Sequence, residues 1–127
     1  MAISVPHPGH SESDSAAVLG KAVVRVAERL AINGDTLSRV LGISPSSASR
    51  LAAGTYSLNP SRKEWDLALL FVRLFRSLDS IVGSDEAART WMRSENLALR
   101  DMPANLITHI QGLVHVVDYL DTHRGRI

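Results

Sequence analysis

The 127-residue sequence has no cysteine, which excludes disulfides and, with them, thiolate metal sites and cysteine nucleophiles. It has no long apolar run either. The most apolar stretch, Leu67 to Phe75, carries Arg73 and falls far short of the roughly 20 residues that cross a bilayer. Met1 to Ser15 place no basic residue ahead of an apolar segment, so no secretory leader is expected. A G-x-x-x-x-G-K-[ST] phosphate loop and a G-x-S-x-G nucleophile elbow are both missing. His7 and His10 lie near the N-terminus, and His109, His115 and His123 do not follow the i, i+4 spacing that lines up metal ligands on one helix face. These absences predict a cytoplasmic protein that is not an enzyme, with no metal, no cofactor and no membrane contact.

What is present is a chain built to fold. Hydrophobic residues make up 45% and charged residues 21%, enough apolar surface for one shared core at this length. The net charge of +1 hides an uneven distribution. Residues 16 to 63 hold seven cations against Glu28 and Asp35, whereas residues 64 to 123 hold five arginines against nine carboxylates. A polyanion would favour the first half, because Lys and Arg contacts to phosphates release condensed counterions.

The punctuation predicts an all-α protein. Residues 1 to 15, with Pro6, Pro8, Gly9 and a Ser/Asp/Glu run, read as a disordered tail. Val18, Leu19, Ala22, Val23, Val26, Ala27 and Leu30 recur at helical spacing, with Asp14 or Ser15 as cap and Asn33-Gly34 as stop. Asp35 is the expected cap of a second helix, which Gly42 breaks. Ser44-Pro45 opens a third that ends at Gly54. Ser61 and Glu64 form a capping-box pattern ahead of a long apolar helix to about Val82. Gly83-Ser84 starts a fifth helix, and Pro103 is expected to open a single last one. Trp65 and Trp91 sit among aliphatic residues and are expected as core anchors. No alternating strand pattern and no internal repeat is found.

The strongest local signal runs from Thr36 to Leu51. Leu37 and Leu41 lie one turn apart, Gly42 permits a tight turn, Ile43 plugs the angle, and Ala48 and Leu51 face back, as in a helix-turn-helix. Such a unit lays the start of its second helix in the major groove, so Ser46, Ser47, Ser49 and Arg50 are the expected base readers, with Ser44 and Arg39 on phosphate. Three serines and one arginine imply modest specificity, and useful affinity calls for a dimer or larger assembly. At the other end, Tyr119 to Ile127 finish a helix on His123-Arg124-Gly125-Arg126-Ile127, a cationic peptide that either frays into solvent, the better reading of the residues alone, or inserts into an anionic cleft of a partner.

The run Ala88-x-x-Trp91-Met92-x-x-x-Asn96-x-x-Leu99-x-x-x-Pro103-x-x-Leu106-Ile107, then Gly112-x-x-x-Val116-x-x-x-Leu120, resembles the toxin-binding domain of the MbcA/ParS/Xre antitoxin family. The order upstream, from an Xre/Cro-like helix-turn-helix through Arg50-x-x-x-Gly54 and the long helix to Gly83-Ser84-Asp85, is similar too, so the resemblance covers nearly everything after the tail. It implies a type II antitoxin paired with a RES-domain toxin that destroys NAD by glycohydrolysis or phosphorolysis. The antitoxin's C-terminal end would enter or cover the toxin's NAD site, and the antitoxin or its complex would repress the shared operon. On this chain the toxin contacts fall to Tyr119, His123, Arg124, Gly125, Arg126 and Ile127. An arginine there would suit a phosphate-binding pocket. The expected organisation is residues 1–15 as tail, 16–60 for operator DNA and 61–127 for oligomerisation and toxin binding, as a homodimer or a larger hetero-oligomer. The rival readings are a stand-alone transcriptional regulator and a protein-interaction module without DNA contact.

Overall fold

The computed structural model describes residues 12–124. Seven helices follow one another among these residues: α1 Glu12–Arg29, α2 Gly34–Leu41, α3 Pro45–Ala53, α4 Lys63–Val82, α5 Asp85–Met92, α6 Pro103–Leu106 and α7 Ile110–Arg124. The all-α expectation holds, with a single bridge between Asn96 and Asp101 as the extended pairing among the described residues. No helix there is long and apolar enough to cross a membrane.

Helix α4 is the centre. It packs most extensively on α7 and also touches α1, α2 and α5. Its Leu67, Ala68, Phe71, Leu74, Phe75 and Leu78 are buried, so its apolar surface is used on several sides at once. One contiguous core runs from Val23 and Leu30 of α1, through Leu37 and Leu41 of α2, to Leu113, Val116 and Leu120 of α7. Trp65 and Trp91 are not inside it. Both are half-buried and pack against its edge, because each large ring meets the core on one side and a surface cleft on the other.

The helix boundaries depart from the sequence pattern where distant groups supply the caps. Helix α1 starts at Glu12, so Glu12 to Ser15 belong to a helix rather than to the tail. Its end also comes earlier than expected, since Ala31 turns into the left-handed region at φ 54°. Carbonyls there are taken by α5 and the residue that caps its end: Arg89 Nε donates to Arg29 O at 2.8 Å and Arg93 Nη2 to Ala31 O at 2.7 Å. Arg29 itself ion-pairs with Asp85 at 3.0 Å and lies over the Phe75 ring at 4.5 Å. This exchange of arginines ties the first half of the molecule to the second. Asn33 is the cap of α2 in place of Asp35, its side chain accepting from Thr36 N–H at 2.9 Å.

The expected capping box at Ser61 does not form. Helix α4 is preceded by Arg62 without a side-chain cap, and Glu64 turns back to the preceding loop. The single last helix is instead two, α6 and α7, joined by a tight turn. A Cβ added to Gly112 would overlap the Leu106 carbonyl oxygen, so only glycine lets α7 pass this close to the end of α6.

Candidate nucleic-acid interface and carboxyl-terminal face

The helix-turn-helix forms as the spacing predicts. Leu37, Leu41, Ala48 and Leu51 are buried, and Gly42 adopts φ 67° at the end of α2, a conformation that favours glycine. Ser44 caps α3 by accepting from Ser47 N–H at 3.0 Å, with Pro45 at the first helical position. The first turn of α3 is thereby set before any partner arrives.

The expected readers divide into two groups. Ser44, Ser46, Ser47 and Arg50 form one surface cluster, in which the Ser44 hydroxyl donates to Ser47 Oγ at 3.0 Å and lies 3.3 Å from Ser46 Oγ. Arg50 Nη2 donates to Ser47 Oγ at 3.2 Å, and its guanidinium lies 5.9 Å from the Tyr56 ring centroid. Ser49 is exposed as well but lines the cleft between α1 and α3, with Pro45, Ala48 and Ala52, away from that cluster. Arg39 is exposed on α2.

The support behind the cluster was not foreseen. Glu64 is buried, and its carboxylate accepts from Tyr56 Oη at 2.8 Å and from Asn59 N–H at 3.0 Å. Burial, reinforced by the hydrogen bond to that carboxylate, raises the Tyr56 phenol above its ordinary value of 10.0. Tyr56 is therefore a neutral hydrogen-bond donor at physiological pH, fixed from behind and carrying Arg50 on its ring. The sequence signal was the Tyr56-to-Glu64 spacing across a loop, which a capping-box pattern masks.

At the other end, α7 presents two different sides. Tyr119 stacks on Trp91 with centroids 6.4 Å apart, and His123, one turn on, lies 4.1 Å from the Tyr119 ring with Nδ1 2.8 Å from Tyr119 O. Arg124 instead points back to α4, with Nη1 3.4 Å from Ser77 Oγ. The fully buried Ser77 donates to Asp121 Oδ1 at 2.7 Å, and Asp121 Oδ2 pairs with Arg73 at 2.6 Å. The structure thus separates Tyr119 and His123 from Arg124. Gly125, Arg126 and Ile127 lie outside the described residues.

The segment between Met92 and Pro103 is a closed, self-bonded loop. Asn96 Oδ1 accepts from Leu99 N–H at 3.1 Å, Asn96 O accepts from Arg100 N–H at 2.7 Å, and Asp101 Oδ1 accepts from Met102 N–H at 2.6 Å. Leu99 and Ile107 are driven into the core, and Pro103 starts α6. Arg100 sits at φ 68°, where glycine is favoured. Leu97, 91% exposed, and Ile110 leave apolar surface on this half.

Comparison with known proteins matches these two regions separately. The family model for the antitoxin Xre-like helix-turn-helix domain matches residues 10–73, and that for the antitoxin Xre/MbcA/ParS C-terminal toxin-binding domain matches residues 77–126. The two meet inside α4. Among solved structures, a chain of the crystal structure of the M. tuberculosis MbcT-MbcA toxin-antitoxin complex is 24% identical, with a TM-score of 0.63 over 87% of this chain and 96% of that one, a likeness of fold. No curated protein matches.

Proposed function

Since this chain belongs to the Xre/MbcA/ParS antitoxin family, we propose that it is a type II antitoxin of a RES-domain toxin that degrades NAD, and that it blocks the toxin's active site with the end of α7. The observation that carries this reading is the toxin-binding match over residues 77–126, which coincides with the closed loop, the glycine-dependent α6–α7 turn and the cationic end of α7. Arg124 begins the blocking segment that continues through Gly125, Arg126 and Ile127, and Tyr119 and His123 supply an aromatic flank. A guanidinium suits a pocket built for the phosphates of NAD. In the same reading the protein acts in the cytoplasm, binds its operator through Arg39, Ser44, Ser46, Ser47, Ser49 and Arg50, and works as a homodimer or a larger complex with the toxin. One α3 with a single arginine in its cluster is too small a footprint for tight binding to one half-site.

Co-expression with the neighbouring gene product, followed by purification and an NAD-consumption assay, tests the pairing. Deleting residues 124–127 is expected to weaken inhibition while leaving the fold intact. Full inhibition by the truncated chain would place the block elsewhere. Arg39→Ala with Arg50→Ala is expected to abolish operator binding, and unchanged, salt-dependent binding would rule out the assigned DNA face.

A further inference from the structure

Helices α1 and α4 leave a groove of about 680 Å³ that neither the helix-turn-helix nor the aromatic side of α7 uses. Its lining includes Val18, Trp65, Leu69, Arg73, Arg76 and Arg124. Val18 is 70% exposed and Leu69 49%, so the groove offers apolar surface to solvent at a place where the core is already complete. The charged groups lining it are arginines. Asp121 neutralises Arg73, while Arg76 and Arg124 have no carboxylate within ion-pair distance among the described residues.

We infer that this groove receives an acidic amphipathic helix of the toxin, so that the antitoxin holds its partner at a second place besides the end of α7. This rests on the proposed pairing with a toxin. Trp65 and Arg76 lie eleven steps apart on α4, which at 1.5 Å per residue is about 16 Å, or about three turns of an incoming helix. Such a helix would lay apolar residues on Val18 and Leu69 and carboxylates against Arg76 and Arg124. A second copy of this chain fits less well, because an identical groove has no carboxylate in its lining to meet Arg76 and Arg124. DNA fits less well too, since exposed valine and leucine give nothing to a phosphate. Continuity selects the toxin: Arg124 lines the groove and is also the first residue of the proposed blocking end.

The test uses the full chain, the purified toxin and isothermal titration calorimetry. Arg76→Glu and Leu69→Glu are each expected to weaken toxin affinity tenfold or more, with operator binding, melting temperature and sedimentation unchanged. Arg76→Lys is expected to stay within a few-fold of the parent chain. Unchanged toxin affinity in both Glu variants would overturn the inference. So would a Leu69→Glu chain that turns from dimer to monomer yet binds toxin as before, which makes the groove a self-association face. If the parent chain itself binds no toxin, the pairing fails and the inference falls with it.

Discussion

Arg50 and Arg124 are both cationic groups near the end of a helix, yet the molecule holds them by opposite means. Arg50 rests on Ser47, three residues away, and on Tyr56, six residues away, in a cluster of exposed hydroxyls. Arg124 is held by Ser77, which is buried and 47 residues away, through a network that continues to Asp121 and Arg73. The first arrangement is local and wet, and its hydrogen bonds replace water at little net gain. The second is tertiary and partly dry, so it depends on α4 and α7 remaining in register. Under the proposed function the first arrangement suits a surface that adapts to groups in a DNA groove, and the second suits a segment that enters one defined pocket.

Four measurements would break or sharpen this contrast. Phe71 is fully buried in the helix common to both halves, so Phe71→Ala is expected to cost about 3–5 kcal/mol and to lower both ends in one cooperative transition. Two separate transitions in chemical denaturation would show that the halves have independent cores. Asp121→Ala leaves the buried Ser77 hydroxyl without its acceptor and should cost about 1–3 kcal/mol, whereas Ser47→Ala at the exposed cluster should stay within about 0.5 kcal/mol. Equal losses would erase the distinction between the two networks.

Arg100→Gly relieves a left-handed residue and is expected to add up to about 1 kcal/mol, because the strain removed is partly offset by the freer unfolded chain. Thermal unfolding checks this, and a loss of stability would mean that the Arg100 side chain contributes more than its backbone costs. The smallest effect is at high pH. The raised phenol of Tyr56 adds stability that is fully present below its unfolded value, near pH 10, and is lost as pH rises through the folded value. Tyr56→Phe should remove this alkaline component from the unfolding curve and leave the rest unchanged.

Much of the first half was legible because its signals are short-range. Gly42, Ser44-Pro45 and the Leu37, Leu41, Ala48, Leu51 spacing act within a few residues of one another, and each appears in the structure where the pattern puts it. Misreadings cluster where a polar side chain had a distant alternative. Glu64 looked like a capping residue but is claimed by Tyr56 and Asn59, and α1 ends early where Arg89 takes the Arg29 carbonyl and Arg93 that of Ala31 just beyond it. Gly112 was one letter in a family pattern, and the close approach of Leu106 gives it a steric reason.

Sequence by itself determined the all-α class, the helix-turn-helix and the starts of α3, α5 and α6, since periodicity, caps and breakers act through the backbone of adjacent residues. It also carried the family pattern around Trp91, Asn96 and Pro103. Only the tertiary structure decided which way the end of α7 faces. Tyr119 and His123 lie on the side of Trp91 and Arg124 on that of Ser77, a division that follows from the packing of α7 on α4. It alone decided, too, that α1 and α4 leave an apolar, arginine-lined groove open, because surface left uncovered is fixed by where whole helices come to rest and by no local pattern.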